Sequence, residues 1–254
     1  MRHPEAPLRV PSITAFFWII KALSTAMGEA ASDYLVRVFP PVLAVLLGFV
    51  VFVIAMVLQF TRHRYVAWAY WLAVCAVGVF GTMVADVLHV GFAVPYAVSA
   101  PLFAVILAAV FIVWFRVEST VSIHTIASTR REVFYWLAVV STFALGTAVG
   151  DLTAVTLGLG YPVSAAVFGL LILFIALAYR FVRLGSVIAF WAAYVLTRPF
   201  GASVADWLGK PPSLGGVGVG DGTVALIFLL AIIALVSYLQ VSKRDIQVPS
   251  DFAS

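Results

Sequence analysis

The chain reads as an all-α integral membrane protein with eight transmembrane helices, arranged as four parallel-repeat helical hairpins. Three observations predict this class. Hydrophobic residues make up 64% of the 254 positions, charged residues only 10%, and the mean hydropathy is +1.12. Several apolar runs approach the ~20 residues that cross a ~30 Å hydrocarbon core. They are continuous rather than alternating, so helices and not a β-barrel satisfy the backbone in lipid. Finally, the pattern (Phe/Tyr)-Trp-x9-Gly-x4-Asp occurs four times, each time inside an apolar run.

The elements follow in order. A first span, about 13–34, carries Phe17-Trp18, Gly28 and Asp33. The second, about 40–60, begins at Pro41, and proline suits the first turn of a helix. The third, about 66–88, carries Tyr70-Trp71, Gly81 and Asp86, and the fourth, about 95–115, begins at Pro95. After a polar connection at 116–132 comes the fifth, about 133–153, with Tyr135-Trp136, Gly146 and Asp151. The sixth, about 162–182, starts at Pro162. The seventh, about 186–207, carries Phe190-Trp191, Gly201 and Asp206, and the eighth covers about 223–241. The chain is thus expected to be a single membrane domain, 1–254, with repeats at about 13–60, 66–115, 133–182 and 186–241. Residues 208–222, rich in Gly and Pro, are expected to form a flexible loop.

Charge sets the expected topology. The N-terminal segment, the 61–65 loop, the 116–132 connection, the turn near 181–185 and the C-terminal tail hold eleven of the fifteen Lys and Arg residues. The opposite loops hold only Arg37 and Lys210. The positive-inside rule then puts both termini in the cytoplasm and all four motif aspartates toward the outer side. Hairpins with an even number of spans are expected to be related by rotation about an axis along the membrane normal. Residues 1–12, with Arg2, Glu5 and Arg9, lack the pattern of a cleavable signal peptide. The single cysteine, Cys75, lies in a span and forms no intrachain disulfide. The basic balance is explained by topology and calls for no nucleic acid.

Helix rise converts the motif into depth. Gly lies ~15 Å beyond Trp, and Asp ~22 Å beyond. The tryptophans are expected to anchor the inner interface, as belt residues do. Gly28, Gly81, Gly146 and Gly201 then sit near the midplane, as close-packing points or hinges. An ionisable group in a span is by default a functional candidate facing the bundle interior. Steps of four along the first helix give a polar stripe, Lys21, Thr25, Glu29 and Asp33. Thr82 and Thr147 occupy the register of Glu29. Five in-span acids (Glu29, Asp33, Asp86, Asp151 and Asp206) face two in-span bases, Lys21 and Arg198. Burying that excess without compensation is costly, so protonation, a bound cation or water is implied. Lys21 has two open readings, an interior charge partner or a side chain snorkelling to the interface. Arg198 is expected to pair with an acid of another repeat, and Pro199 to loosen or kink its helix.

These residues favour transport of a cation. Carboxylates with threonine hydroxyls suit protons and hard cations. Proton-coupled efflux of a divalent metal fits best, with Glu29, Asp33 and Asp86 as candidate ligands and no cofactor beyond such a bound ion. The expected partners are the lipid bilayer and a small cation or proton. Two alternatives stand: a scaffold whose motif only locks the hairpins together, and a carrier of a small organic solute or anion near Lys21 and Arg198. His89, three residues after Asp86, is a weak second metal ligand and reads better as a loop residue. No Ser/His pair, His-Glu-x-x-His motif or phosphate loop occurs, and Ala148 breaks the Gly-x-Gly-Asp pattern of intramembrane aspartyl proteases, so no enzyme is expected.

The segment from Lys21 to Leu35, with its Gly-Glu-x-x-Ser-Asp-Tyr core, resembles the repeat box of a family of bacterial inner-membrane proteins. These are built of about four tandem repeats and are described as uncharacterised membrane-anchored proteins. The resemblance covers all four repeats, although Thr82, Thr147 and Ala202 replace the glutamate. It implies a bacterial cytoplasmic-membrane location and no particular activity.

Overall fold

The computed structural model describes residues 7–247. Arg2 and Glu5, part of the expected cytoplasmic flank, lie outside them. The described residues form eight α-helices and no strands: α1 Ala15–Val38, α2 Pro41–Phe60, α3 Ala67–Asp86, α4 Tyr96–Glu118, α5 Thr129–Asp151, α6 Tyr161–Phe181, α7 Ser186–Gly209 and α8 Asp221–Ser242. Local chemistry sets several starts. The Thr14 and Ser128 side chains cap α1 and α5 by accepting backbone N–H groups of Phe17 and Arg131. Pro41 and Pro162 occupy the first turns of α2 and α6. Directly after Asp86 and Asp151, α3 and α5 continue as single π-type turns, Val87–Gly91 and Leu152–Thr156. These aspartates therefore sit at a change of helical pitch rather than at a helix end.

Seven helices are long and apolar enough to cross a membrane. The exception is α1, long enough at 24 residues but carrying Lys21, Ser24, Thr25, Glu29, Ser32 and Asp33. The motif helices form an inner layer and the returning helices an outer one. The apolar stretches of α3, α5 and α7 are 56–72% buried, those of α2, α4, α6 and α8 only 17–28%. The outer faces present Val42, Leu46, Ile54, Val105, Leu170 and Phe174 to the surroundings, an apolar coat far larger than a soluble monomer exposes.

Two sets of contacts close α1, α3, α5 and α7 into a ring. Each motif glycine faces the residue three before the motif glycine of the next helix: Gly28 meets Gly78, Gly81 meets Phe143, Gly146 meets Arg198, and Gly201 meets Thr25. The motif aromatics repeat the order: Phe17 packs on Trp71 (ring centroids 5.7 Å), Tyr70 on Trp136 (5.6 Å), Tyr135 on Trp191 (6.0 Å) and Phe190 on Trp18 (5.7 Å). Trp71, Trp136 and Trp191 are buried, so they serve as core residues and not as the interfacial anchors expected of them. The physical reason is that each indole fills the gap left beside the preceding repeat's Phe or Tyr.

The outer helices correct the simple hairpin picture. α2 packs on α3, α4 on α5, α6 on α7 and α8 on α1. Each returning helix thus crosses onto the motif helix of the next repeat, and α8 closes the circle. The motif glycines permit close approach within the inner ring. A Cβ on Gly28 would lie 2.7–2.8 Å from backbone atoms of Gly78, which cannot rotate aside. Gly28→Ala is therefore expected to lower stability by about 1–3 kcal/mol. Gly169→Ala, whose Cβ would meet the Phe200 ring at an ordinary 3.4 Å, should be neutral or better. Melting curves of both variants check the contrast.

The connections at the aromatic end of the ring interlock. The backbone N–H of Arg9 bonds to Ile126 O, that of Tyr65 to Leu8 O, and that of Ser12 to Asp245 O. Arg9 pairs with the buried Glu132 at 2.6 Å, and Gln59 donates to the same carboxylate at 2.8 Å. Glu132 lies in the first turn of α5, where the helix dipole favours a negative charge. Chain segments distant in sequence are thereby tied together at this end.

Candidate functional site

The polar stripe of α1 faces into the ring. Lys21, Thr25 and Glu29 are buried, and Asp33 lies one turn further along at half-burial. Across from it, the fully buried Arg198 of α7 pairs with Glu29 at 2.6 Å. The same guanidinium donates to Thr147 Oγ1 at 2.8 Å, to Thr82 Oγ1, and to the Thr25 carbonyl at 3.2 Å. One side chain therefore reaches all four motif helices. The threonine hydroxyls in turn donate to their own helix carbonyls, at Gly78 and Phe143. α7 runs unbroken through Pro199.

Lys21 does not snorkel. Its side chain is fully buried, and its Nζ has no hydrogen-bond partner among the described residues. The ammonium instead sits over two aromatic faces, Phe143 at 3.9 Å and Tyr194 at 4.1 Å. Such contacts attract a cation through the ring quadrupole. On the side of Lys21 away from Arg198, Tyr70 and Tyr135 join hydroxyls and the aromatic layer closes the ring.

Beyond Arg198 the ring carries a cluster of carboxylates, with Glu29 and Asp206 buried. One carboxylate oxygen from each of Glu29, Asp33 and Asp206 lies within 4.8 Å of the others. This group holds Asp206 where the sequence led to Asp86. α1 borders both α3 and α7 in the ring, but only on the α7 side does a cation, Lys210, draw two of the carboxylates, Asp33 and Asp206, together. Asp86 of α3 and Asp151 of α5 stand outside this group. His89 takes no part, stacking on Tyr96 with its Nδ1 at 3.0 Å from the Val94 carbonyl.

Lys210 was assigned to the loop opposite the basic end, and nothing marked it as a site residue. It caps α7 and turns back to pair with Asp33, with Asp206 Oδ1 at 3.7 Å. The segment behind it folds back onto the end of α7. Val217, Val219 and Gly220 donate backbone bonds to Trp207, Leu208 and Gly209. Gly218 and Gly220 adopt φ of +87° and +91°, which β-carbon-bearing residues rarely do. Arg37 pairs with Asp221 beside it at 2.5 Å. Five site carboxylates therefore face three cations, Lys21, Arg198 and Lys210.

Fold and site together define a class: a multi-pass helical protein of four tandem repeats, with a polar network inside a ring of its motif helices. The family model described as Repeat of Unknown Function (DUF347) matches residues 16–65, 69–120, 134–184 and 189–245. Each match takes in one motif helix and its returning helix, and the chain belongs to this family. Comparison with curated proteins and with solved structures gave no match.

Proposed function

We propose that the chain is a transporter of the bacterial cytoplasmic membrane that moves a small cation along the ring of motif helices. In this reading α1 is the eighth span, the four repeats turn about an axis along the membrane normal, and both termini are cytoplasmic. The basic segments that meet at the aromatic end support that orientation. The carboxylate cluster then lies toward the outer side, and Lys21, Arg198 and the aromatic layer toward the inner side.

One observation carries the proposal. Glu29, Asp33 and Asp206 gather their carboxylate oxygens within 4.8 Å, and an ammonium, that of Lys210, already sits against two of them. The site thus holds a positive charge on oxygen ligands, the chemistry that hard cations use. The substrate that fits best is a divalent metal exchanged for protons, because carboxylates that lose a cation must take up protons or stay unbalanced. A second reading, the structural scaffold, draws support from Arg198, whose four partners tie every motif helix together.

Flux into proteoliposomes, followed with a proton-sensitive and a metal-sensitive dye, separates the two. Asp33→Asn and Asp206→Asn are expected to lower wild-type flux by at least about tenfold, roughly 1.4 kcal/mol in the barrier. Asp86→Asn and Asp151→Asn should act less. Unchanged flux in all four variants overturns the transport reading. No flux in the wild type, with lowered melting temperature in the variants, establishes the scaffold.

A further inference from the structure

The four returning helices do not seal the ring equally. Repeats two and three align with a constant offset of 65 residues, as Tyr70 and Tyr135 or Asp86 and Asp151 register. Repeats three and four align with an offset of 55, as Tyr135 and Phe190 do. Where α4 packs on α5, three aromatics fill the seam. Phe111 meets Trp191 at 4.9 Å, Trp114 meets Trp191 at 5.9 Å, and Phe134 stacks on Trp114 at 6.3 Å. The corresponding residues where α6 packs on α7 are Ala176, Tyr179 and Ala189. Two aromatic rings are lost, and the third, Tyr179, turns outward to 52% exposure whereas Trp114 is fully buried.

The result is a groove of about 720 Å³ between α1, α6 and α7, with Trp18 at the place Trp191 holds in the other seam. Its length is apolar, with Ala176, Ala189 and Phe200 among its lining, and one end is polar, with Ser12, Ser186 and Gln247. The turn joining Tyr179 to Ser186 at that end carries Arg180 and Arg183, and neither forms an ion pair among the described residues.

We infer that this groove binds one acyl chain of an anionic phospholipid, with the phosphate at the Arg180–Arg183 rim. The inference rests on the membrane reading and is independent of the cation path. Three features select the occupant. The groove opens on the outer apolar face, where lipid tails are the surrounding medium. It is polar at one end only, as a lipid is. The turn between its lining residues Tyr179 and Ser186 carries two arginines without an ion pair among the described residues, and basic pockets between helices at that side recruit acidic head groups. A void of this size left empty beside Trp18 and Phe190 would forfeit packing on one side of both rings.

Native mass spectrometry of the detergent-purified full chain, incubated with phosphatidylglycerol or phosphatidylcholine of equal chain length, tests this. The wild type is expected to retain one phosphatidylglycerol. Ala176→Phe with Ala189→Phe, which restores the filling of the other seam, should melt no lower and lose that lipid. Arg180→Gln and Arg183→Gln should each cut the preference for phosphatidylglycerol by about fivefold. A photoactivatable phosphatidylglycerol on the wild type should label peptides of α6, α7 and Trp18, which keeps the test open if the filled variant fails to fold. Equal retention of both lipids, lipid retained by the filled variant, labelling spread over all outer helices, or a groove-dependent dimer each overturns the inference. A chain that fractionates away from membranes refutes the membrane reading instead.

Discussion

Arg198→Met is expected to lower stability by about 3–5 kcal/mol, the usual consequence of removing one partner of a buried ion pair. The loss is concentrated at Glu29. Glu29 is 3% exposed, and the nearest remaining hydroxyl, Thr82 Oγ1 at 3.4 Å, has its one proton on the Gly78 carbonyl. Thr82 and Thr147 suffer less, because their hydroxyls already donate to Gly78 and Phe143 within their own helices. Arg198→Lys should fall between, since a single ammonium can replace Nη2 against Glu29 and the two hydroxyls but not also the Nη1 bond to the Thr25 carbonyl. The informative variant is the apolar pair, Arg198→Met with Glu29→Met. Replacing a whole buried pair by apolar side chains of similar volume is often neutral or stabilising. Recovery of most of the stability in the double variant is therefore expected. Thermal melts of the two single variants and the double close the cycle. If Arg198→Met melts with the wild type, the network contributes little to folding. If the double variant folds but moves no cation, the pair serves transport rather than assembly.

The repeat and its helices were legible because both depend on local pattern. A Trp, a Gly and an Asp at fixed spacing mark one register in four helices, and long apolar runs mark their extent. The polar stripe of α1 was legible for the same reason, since steps of four share a helix face. What the pattern does not encode is which helix neighbours which. A helix apolar on every side carries no mark of its partner, so the crossing of each returning helix onto the next motif helix went unread. Trp71 and Trp136 were misread because an indole suits a lipid interface and a packed core equally well. The exchange of Asp86 for Asp206 in the carboxylate group follows from the same gap: the pattern shows neither that ring closure brings α7 beside α1 nor that Lys210 bridges Asp33 and Asp206 there. Lys210 was missed for a different reason. Its approach to Asp33 depends on the backbone path of residues 211–220, whose glycines signal a turn without fixing its direction.

That path gives Lys210 the second large effect. Burial alone would lower its pKa, but Asp33 and Asp206 outweigh burial and hold it above the usual lysine value. A raised lysine pKa contributes stability that is complete below the unfolded value of about 10.4 and is lost only as pH rises through the folded one. At neutral pH, Lys210 is therefore a fixed cation tethered in the proposed site, at the high effective concentration that a short linker confers. A free cation must displace it before binding to both carboxylates. Lys210→Met is accordingly expected to lose stability in cation-free buffer and to regain it when the transported cation is added, with apparent affinity raised at least about tenfold over wild type. Melting temperatures across a titration of Mg²⁺, Mn²⁺, Na⁺ and K⁺ read both effects at once. Restoration by one of these ions names the class of substrate. If the variant is destabilised and none of them restores it, Lys210 is a structural clamp between α1 and α7, and the carboxylate cluster is not a site for those ions. The distinction is physical: a clamp needs its own side chain and loop, whereas a site vacated by an ammonium accepts any cation of suitable size and charge.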